Sequence, residues 1–518
     1  MRTEQLGHDG MWTSDTRRMT FQTGWKGLSI TVVLLVSACA TNPVTGNREF
    51  AFMSESQEIA IGREADMQIQ QAMGVYESLA LQEYVEDLGN KLALISHRPD
   101  LPWQFTVVDS PAVNAFALPG GFIYLTRGIM AYLGDEAELA GVLGHEIGHV
   151  TARHTVQAYT RATGAQLGLV LGGILLPPMR SNPYGLPGFM DAAGSGLGLL
   201  LLKFGREDEM QADRLGAEYA AGGSWHPEGV VGMLSTLSRI SDVSDRSGVP
   251  NWLSTHPEPE ARINEVGATV AKLLEMTNSD DLRVDRSGYL DRIKGLQFGD
   301  NPEDGIIRAG EFLHAPLRFG FGFPEGWDLQ NNETDVIVKQ PGQEIYIQLS
   351  LAENIQGSSL REIAVRNMST EGYTAVLGNQ TKINGLDAHL GSYRRYVNNV
   401  GQIVAQVAHI RHDRNLFVIG GFGPVKAFTR VERDVNSTIR SFRPLTREEV
   451  DEIVPNEIAL YIAREGDTWQ QIASQGSGPI LQPTTLAIMN GYPVNEQPLP
   501  GDRLKIVVSG MRVSADRK

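Results

Sequence analysis

The sequence predicts a multidomain chain: a mainly α domain with a small β-sheet, an α+β middle domain, and a small βααβ unit near the C-terminal end. Three observations predict it. A length of 518 residues with 42% apolar content is enough for about three domains with ordinary cores. Apolar residues recur at helical spacing through residues 40–275, and from Gly310 the composition turns to β-rich runs. Between residues 455 and 510 a strand pattern, two short helical stretches and a second strand pattern follow in turn.

Charge and cysteine content narrow the class. The chain carries 45 Lys+Arg against 61 Asp+Glu, net −16, and no basic run with interleaved aromatics, which argues against nucleic acid as a partner. Its one cysteine, Cys39, excludes a disulfide framework. Residues 1–38 read as a targeting segment: Arg17, Arg18 and Lys26 precede an apolar core over 28–36, too short for a membrane span. The ending Leu35-Val36-Ser37-Ala38-Cys39 resembles a bacterial lipobox, which implies a lipid on Cys39 as the mature N-terminus. Ala40 follows the cysteine where Asp does not, so the same resemblance implies the periplasmic face of the outer membrane of a Gram-negative bacterium. One lipidated end anchors a protein without making it span the membrane.

Helical pattern covers 55–73 and 81–95. Two β-rich runs follow between 105 and 126, with Pro119-Gly120-Gly121 between them, and read as neighbouring strands. A strand containing Asn114, Ala115, Phe116 and Ala117 is either a plain core strand or one that pairs with an extended peptide through its backbone.

The stretch from Glu138 to His154 reads as one helix, with Leu139, Val142, Leu143, Ile147 and Val150 forming an apolar stripe. His145 and His149 lie one turn apart with Glu146 between them. His-Glu-x-x-His on a helix gives two ligands for one ion and a base for a water held there, which is a zinc-hydrolase signal. Chance supplies about 0.03 such patterns in a chain with 11 His and 61 acidic residues. His154 misses the spacing of a third histidine ligand and reads as packing or as support for the ligands. The apolar runs at 167–176 and 196–202 are too short to span a membrane and read as buried helices joined by a Pro/Gly-rich lid.

Zinc catalysis asks for a third protein ligand. In Arg206-Glu207-Asp208-Glu209-Met-Gln-Ala212-Asp213, Glu209 and Asp213 share a helical face, so that one can ligate while the other orients a ligand. Glu207 lies on the opposite side. His145-Glu146-x-x-His149 followed by Arg206-x-x-Glu209-x-x-Ala212-Asp213 resembles the HtpX/BepA-type zinc metallopeptidases, a gluzincin family that includes the CAAX prenyl endopeptidases. The likeness covers about residues 40–275, including Asn42-Pro-Val-Thr-Gly, the segment from Asn114 to Gly121, and Ser254-Thr-His256-Pro-Glu-Pro-Glu-Ala-Arg262. It implies a zincin-like metallopeptidase domain over 39–285 with one zinc, ligands His145, His149 and Glu209, and Glu146 as base. It further implies Asp213 supporting a ligand, and His256 with Arg262 near the fourth position. Those two would stabilise the oxyanion, or His256 would bind the metal and keep the enzyme latent.

Residues 276–300 are polar and read as a linker. The 300–445 region shows strand runs around a helical stretch at 359–371, an α+β pattern whose Phe-Pro-x-Gly-Trp opening faintly resembles PsbP/Mog-type domains. His409 and His412, three apart on a strand, point to opposite faces and read as structural. Over 455–510, Gly466-Asp467-Thr468 before a helix, Asn490-Gly491 after another, and Pro500-Gly501 before a strand resemble a LysM module, which implies a grip on peptidoglycan. A unit of that shape packed on its own protease is the alternative. These readings together predict a zinc endopeptidase of the bacterial envelope acting on unfolded or misassembled proteins. The alternatives are a latent or non-catalytic peptidoglycan-binding scaffold or chaperone, and a peptidoglycan hydrolase.

Overall fold

Capping, periodicity and small residues build the first domain. Helix α1 (Glu55–Met73) starts at Ser54, whose hydroxyl accepts from the Gln57 N–H while the Gln57 side chain accepts from the Ser54 N–H. Helix α2 (Leu79–Leu94) buries Leu81, Val85, Leu88 and Leu92, an uninterrupted three-and-four spacing. Strands β1 (Gln104–Val108), β2 (Ala115–Leu118) and β3 (Phe122–Thr126) form a sheet of order β1-β3-β2. β1 runs parallel to β3, and β2 and β3 make an antiparallel hairpin. The hairpin turns through Gly120 and Gly121 at φ +84° and +102°, a region that favours glycine. Among the described residues no strand pairs with the outer side of β2. The computed structural model describes residues 39–50, 53–161, 203–243, 252, 256–257, 259–277, 279–332, 334–397, 401–474 and 480–509. The expected targeting segment and the two apolar runs with their lid lie outside these residues.

Helix α3 (Glu136–Thr151) is capped by the Asp135 carboxylate, which accepts from the Glu138 N–H at 2.9 Å. Every residue from Leu139 to Thr151 is buried, which places this helix at the centre of the domain. The expected single helix through His154 is corrected here. α3 stops at Thr151, Arg153 turns the chain at φ +61°, and helical structure resumes over 154–161. Arg153 is held in that turn by its bonds to Glu58 and to the Met53 carbonyl. Asn42, buried in the opening Asn-Pro-Val-Thr-Gly segment, donates to the Ala152 carbonyl at 3.2 Å and so closes the C-terminal end of α3.

Helices α4 (Arg206–Gly222) and α5 (Glu228–Val243) pack against α3, and α6 (Pro259–Met276) packs on α4 and α5. The expected linker over 276–300 is a second correction. It contains α7 (Arg286–Ile293), which buries Tyr289, Leu290 and Ile293, and β4 (Gln297–Phe298). The Tyr289 hydroxyl donates to the Met130 carbonyl at 2.6 Å. Its charged composition hid three apolar side chains that face one way.

The middle domain holds β5 (Asp328–Asn331), β6 (Asp335–Lys339), β7 (Tyr346–Leu351), α8 (Leu360–Thr370), β8 (Thr374–Ile383), β9 (Leu386–Val397), β10 (Gly401–His412), β11 (Asn415–Pro424) and α9 (Val425–Ser441). Its seven strands form one antiparallel sheet of order β5-β6-β7-β11-β10-β9-β8. Helix α9 contributes Phe428, Val431, Val435 and Ile439 to the core below it. A four-stranded sheet from Ile306–Arg308, Glu311–His314, Phe319–Gly322 and Arg443–Pro444 completes it. β8 carries no strand signal in the sequence. It is an exposed edge strand, so neither face selects apolar residues.

His409 and His412 are both buried, and the His412 Nε2 donates to the Arg318 carbonyl at 3.0 Å. His409 stands directly across from His389, and neither of its ring nitrogens has a hydrogen-bond partner. Burial pushes the His409 imidazole down to about 4, with His389 adding to the effect. Its folded-state value lies below the unfolded one, so the contribution to stability is present above about pH 6.5 and is lost as pH falls toward 4, because the unfolded chain takes the proton first. The loss amounts to about 3 kcal/mol. Thermal unfolding followed between about pH 7 and 4.5 is expected to fall more steeply in the wild type than in His409→Leu. Parallel curves would remove His409 as the cause.

At the C-terminal end, β12 (Asn456–Ile462), α10 (Trp469–Ala473), α11 (Pro483–Met489) and β13 (Arg503–Ser509) run in the expected order, with β12 and β13 antiparallel. β4 adds to β12 as a third strand. The unit is not set apart from the first domain. Ile458, Ile488 and Met489 belong to the same apolar core as α3. Lys505, fully buried, donates to the carbonyls of Ala131 and Leu133 just ahead of α3. No described helix is long and apolar enough to cross a membrane.

Candidate metal centre

Small residues let α3 and α4 approach until their backbones nearly touch. A Cβ on Gly144 would lie 2.9 Å from the Gly216 carbonyl oxygen, and one on Gly216 would lie 2.9 Å from the His145 nitrogen. Gly148 faces Ala212 in the same way one turn further on. This contact brings the histidines of α3 against the acids of α4. His145 Nε2 and His149 Nε2 are 3.0 Å apart. Glu209 Oε1 lies 3.5 Å from His149 Nε2, and Oε2 lies 3.8 Å from His145 Nε2. His256 closes a fourth corner, its Nδ1 3.0 Å from Glu209 Oε1 and 3.4 Å from His145 Nε2.

One ligand atom from each of His145, His149, Glu209 and His256 lies within 4.8 Å of the others, and all four residues are buried. Burial holds His145, His149 and His256 below the ordinary imidazole value, and so in the neutral form that has a lone pair to offer. Nitrogen lone pairs and a carboxylate converging away from water fit a tetrahedral zinc ion.

The supporting residues fix the geometry. Asp213 Oδ1 is 2.9 Å from His145 Nδ1, which turns the other ring nitrogen toward the centre. Arg262 grips Asp213 with two bonds of 2.7 Å and reaches Glu209 Oε2 at 2.8 Å. Its guanidinium is therefore committed to the two carboxylates and lies 4.9 Å over the Trp252 ring. Arg262 also stands beside His256, with Nη1 donating to the His256 carbonyl at 3.4 Å. Burial would raise Asp213, but Arg262 and His145 hold it well below the ordinary range. Burial pushes Glu209 up to about 7 against the pull of Arg262 and His145. His154, turned inward by the break after Thr151, places Nδ1 3.0 Å from His149 Nδ1 and Nε2 3.0 Å from Gln211 Oε1.

Glu146 is buried and its Oε1 lies 3.9 Å from His256 Nε2. Burial, then the Glu209 charge, raises it to about 8, with Trp252 and Arg262 acting the other way. β2 packs against α3 and carries Ala115, Phe116 and Ala117 along the sheet edge. Just ahead of it, the Asn114 N–H donates to the Thr126 hydroxyl and its carbonyl accepts from the Thr126 N–H. Glu207 is exposed, away from the centre.

Two aromatic walls escaped the sequence reading. Trp252 stacks on His256 at 4.6 Å, and Phe204 lies 4.1 Å from the His149 ring. Trp252 sits in no periodic pattern that would mark it. The pairing of Gly144 and Gly148 with Ala212 and Gly216, each four residues apart, was a readable signal of close helix contact.

A buried His-His-Glu set on two tightly packed helices, with a carboxylate after the first histidine, is the arrangement of ligands and base that a zinc metallopeptidase needs. By comparison, residues 79–270 match the model of Peptidase family M48. The chain is 33% identical over 232 residues to the Beta-barrel assembly-enhancing protease of Yersinia pestis, covering 43% of this chain and 46% of that one. It is 32% identical over 171 residues to the Mitochondrial metalloendopeptidase OMA1 of Arabidopsis thaliana, covering 33% of this chain and 32% of that one. The chain thus spans about half or less of the length of these relatives. The solution structure of cyanobacterial PsbP from Synechocystis sp. PCC 6803 aligns over 28% of this chain and 98% of its own, at 14% identity and a TM-score of 0.22.

Proposed function

We propose that the chain is a zinc endopeptidase of the Gram-negative envelope that cuts unfolded or misassembled proteins. The observation that carries the reading is the buried carboxylate of Glu146 beside a converging His145, His149, Glu209 set, since a purely structural metal site needs no base. His145, His149 and Glu209 would hold a zinc ion, which would supply an acidified water and a Lewis acid for the peptide carbonyl. Glu146 takes the proton from the attacking water and passes it to the leaving amine. Asp213 keeps His145 oriented, and Arg262 acts through Asp213 and Glu209 as a positioning residue. The edge of β2, unpaired among the described residues, offers backbone groups to an extended chain without regard to its side chains. The M48 match and the relatives' printed names support protein substrates. Lipidation of Cys39, attachment at the outer membrane and a peptidoglycan grip by the LysM-like unit belong to the same proposal.

A latent form is the second reading, favoured by His256 in the fourth corner. A side chain there competes with water, so only the fraction with His256 displaced would cut. Zinc-loaded wild type and His256→Ala are compared on casein, with released fragments as the readout. Turnover is expected to rise at least about fivefold in the variant. A fall would instead assign His256 to the oxyanion. Silence from both proteins would move the reading to a non-catalytic scaffold, and release of muropeptides from purified peptidoglycan would move it to a glycan hydrolase.

A further inference from the structure

A second cleft, of about 1080 Å³, opens between the metallopeptidase domain and the middle domain. Its floor is apolar: Phe312, Phe319, Leu349 and Phe417 line it. Its rim carries Asp109, Asp300, Glu303 and Asp304. Arg127, the one arginine or lysine lining it, spends its charge on Asp109 and on the carbonyls of Gln297 and Gly299. Among the described residues Asp300, Glu303 and Asp304 make no ion pair, and Arg127 favours the charged forms of Asp300 and Asp304 only from a distance. Burial holds Asp304 above the ordinary carboxylate range; Asp109 adds to this, Arg127 opposes it and Glu303 adds again. A positive charge from outside would relieve all of them.

A second observation is independent of the acids. Arg127 is fully buried, and its Nη2 has no hydrogen-bond partner. An unmet donor in the wall of a cleft calls for an acceptor, such as a backbone carbonyl. The cleft wall includes Val75, Tyr76 and Asp109 at the β1 edge of the sheet, where Val75 bridges to Val108 and the Tyr76 N–H donates to the Val107 carbonyl, with β3 between this edge and β2.

We propose that this cleft is a second polypeptide-binding site, which selects stretches carrying Lys or Arg beside apolar side chains and holds them while the metal centre works on the same chain. The inference rests on the peptidase reading for its purpose, but its charge preference is separate. A bare divalent cation fits less well. Among the described residues, the one group of three or more His, Cys, Asp or Glu close enough to share an ion is the metal centre itself. An apolar floor also gives an ion nothing to bind.

The test uses the full-length, zinc-loaded Glu146→Gln protein and three fluorescent peptides of equal length and apolar content, carrying Lys/Arg, Gln or Glu at the same positions. Binding is read by anisotropy. The Lys/Arg peptide is expected to bind at least about tenfold tighter than the Gln peptide at low salt, and the gap is expected to shrink as salt rises. Glu303→Gln with Asp304→Asn, both on exposed side chains, is expected to remove most of that gap and leave the Gln peptide unchanged. Equal binding of the three peptides would overturn the proposal, as would a gap that survives the double variant. Saturable calcium binding that the double variant abolishes would overturn it in favour of an ion site. Casein cleavage by the chain with Glu146 intact is run in parallel. Cleavage without charge-selective binding would fell only the cleft, and charge-selective binding without cleavage would fell only the peptidase reading.

Discussion

Glu146→Gln protein is expected to hold zinc as the wild type does and to cut casein at least about a hundredfold more slowly, the lower range for losing a positioned general base. The expectation comes from position and environment together. Glu146 follows the first histidine of α3, is 1% exposed, and is raised to about 8 by burial and the Glu209 charge. A base held near neutrality suits proton transfer from an acidified water. Gln keeps the shape and removes the proton acceptor. Zinc content by metal analysis and fragment release by gel decide the matter. Equal cleavage by both proteins would mean that another group takes the proton, and loss of zinc would mean that Glu146 supports the site and not the chemistry.

Asp213→Asn is expected to lower zinc affinity by about 10–100-fold, the usual effect of losing the partner that orients a metal-bound histidine. It is also expected to destabilise the fold by up to about 3–5 kcal/mol, because Arg262 stays buried with Glu209 as its one remaining carboxylate partner. Arg262 is 1% exposed and makes both of its 2.7 Å bonds to this one carboxylate. The two effects separate in a double variant. Asp213→Leu with Arg262→Met removes both buried charges, so stability is expected to recover in large part while zinc affinity stays low. Urea unfolding reads the first quantity and competition with a zinc chelator reads the second. If the double variant binds zinc as tightly as the wild type, His145 does not need Asp213 to present its ring.

Some of this was legible one residue at a time. A metal motif is a local spacing on one helix, so His145, Glu146 and His149 can be read without knowing the fold. Glu209 and Asp213 are also one turn apart, and the chemistry of zinc asks for a third ligand. The strands of the middle domain showed themselves wherever one face was buried, as in β6, where Val336 and Val338 alternate with more exposed neighbours. β8 did not, because an exposed edge strand has no apolar face to display. The stretch at 286–298 was lost for the opposite reason. Arg286, Asp291, Arg292 and Lys294 interrupt the apolar residues that fix it, and Tyr289 is buried by contacts from distant parts of the chain.

The sequence by itself determined the helical pattern of α1, α2 and α3 up to Thr151 and the metal-ligand spacing on α3, because each is set by periodicity or by contacts within a few residues. Only the tertiary structure decided that the C-terminal unit shares the core of α3, that Arg262 serves the two carboxylates, and that His256 stands in the fourth corner beside Trp252. His256 lies 107 positions after His149 in the chain. Nothing local marks such a pair, and only the packing of α3, α4 and α6 around one buried point brings them together.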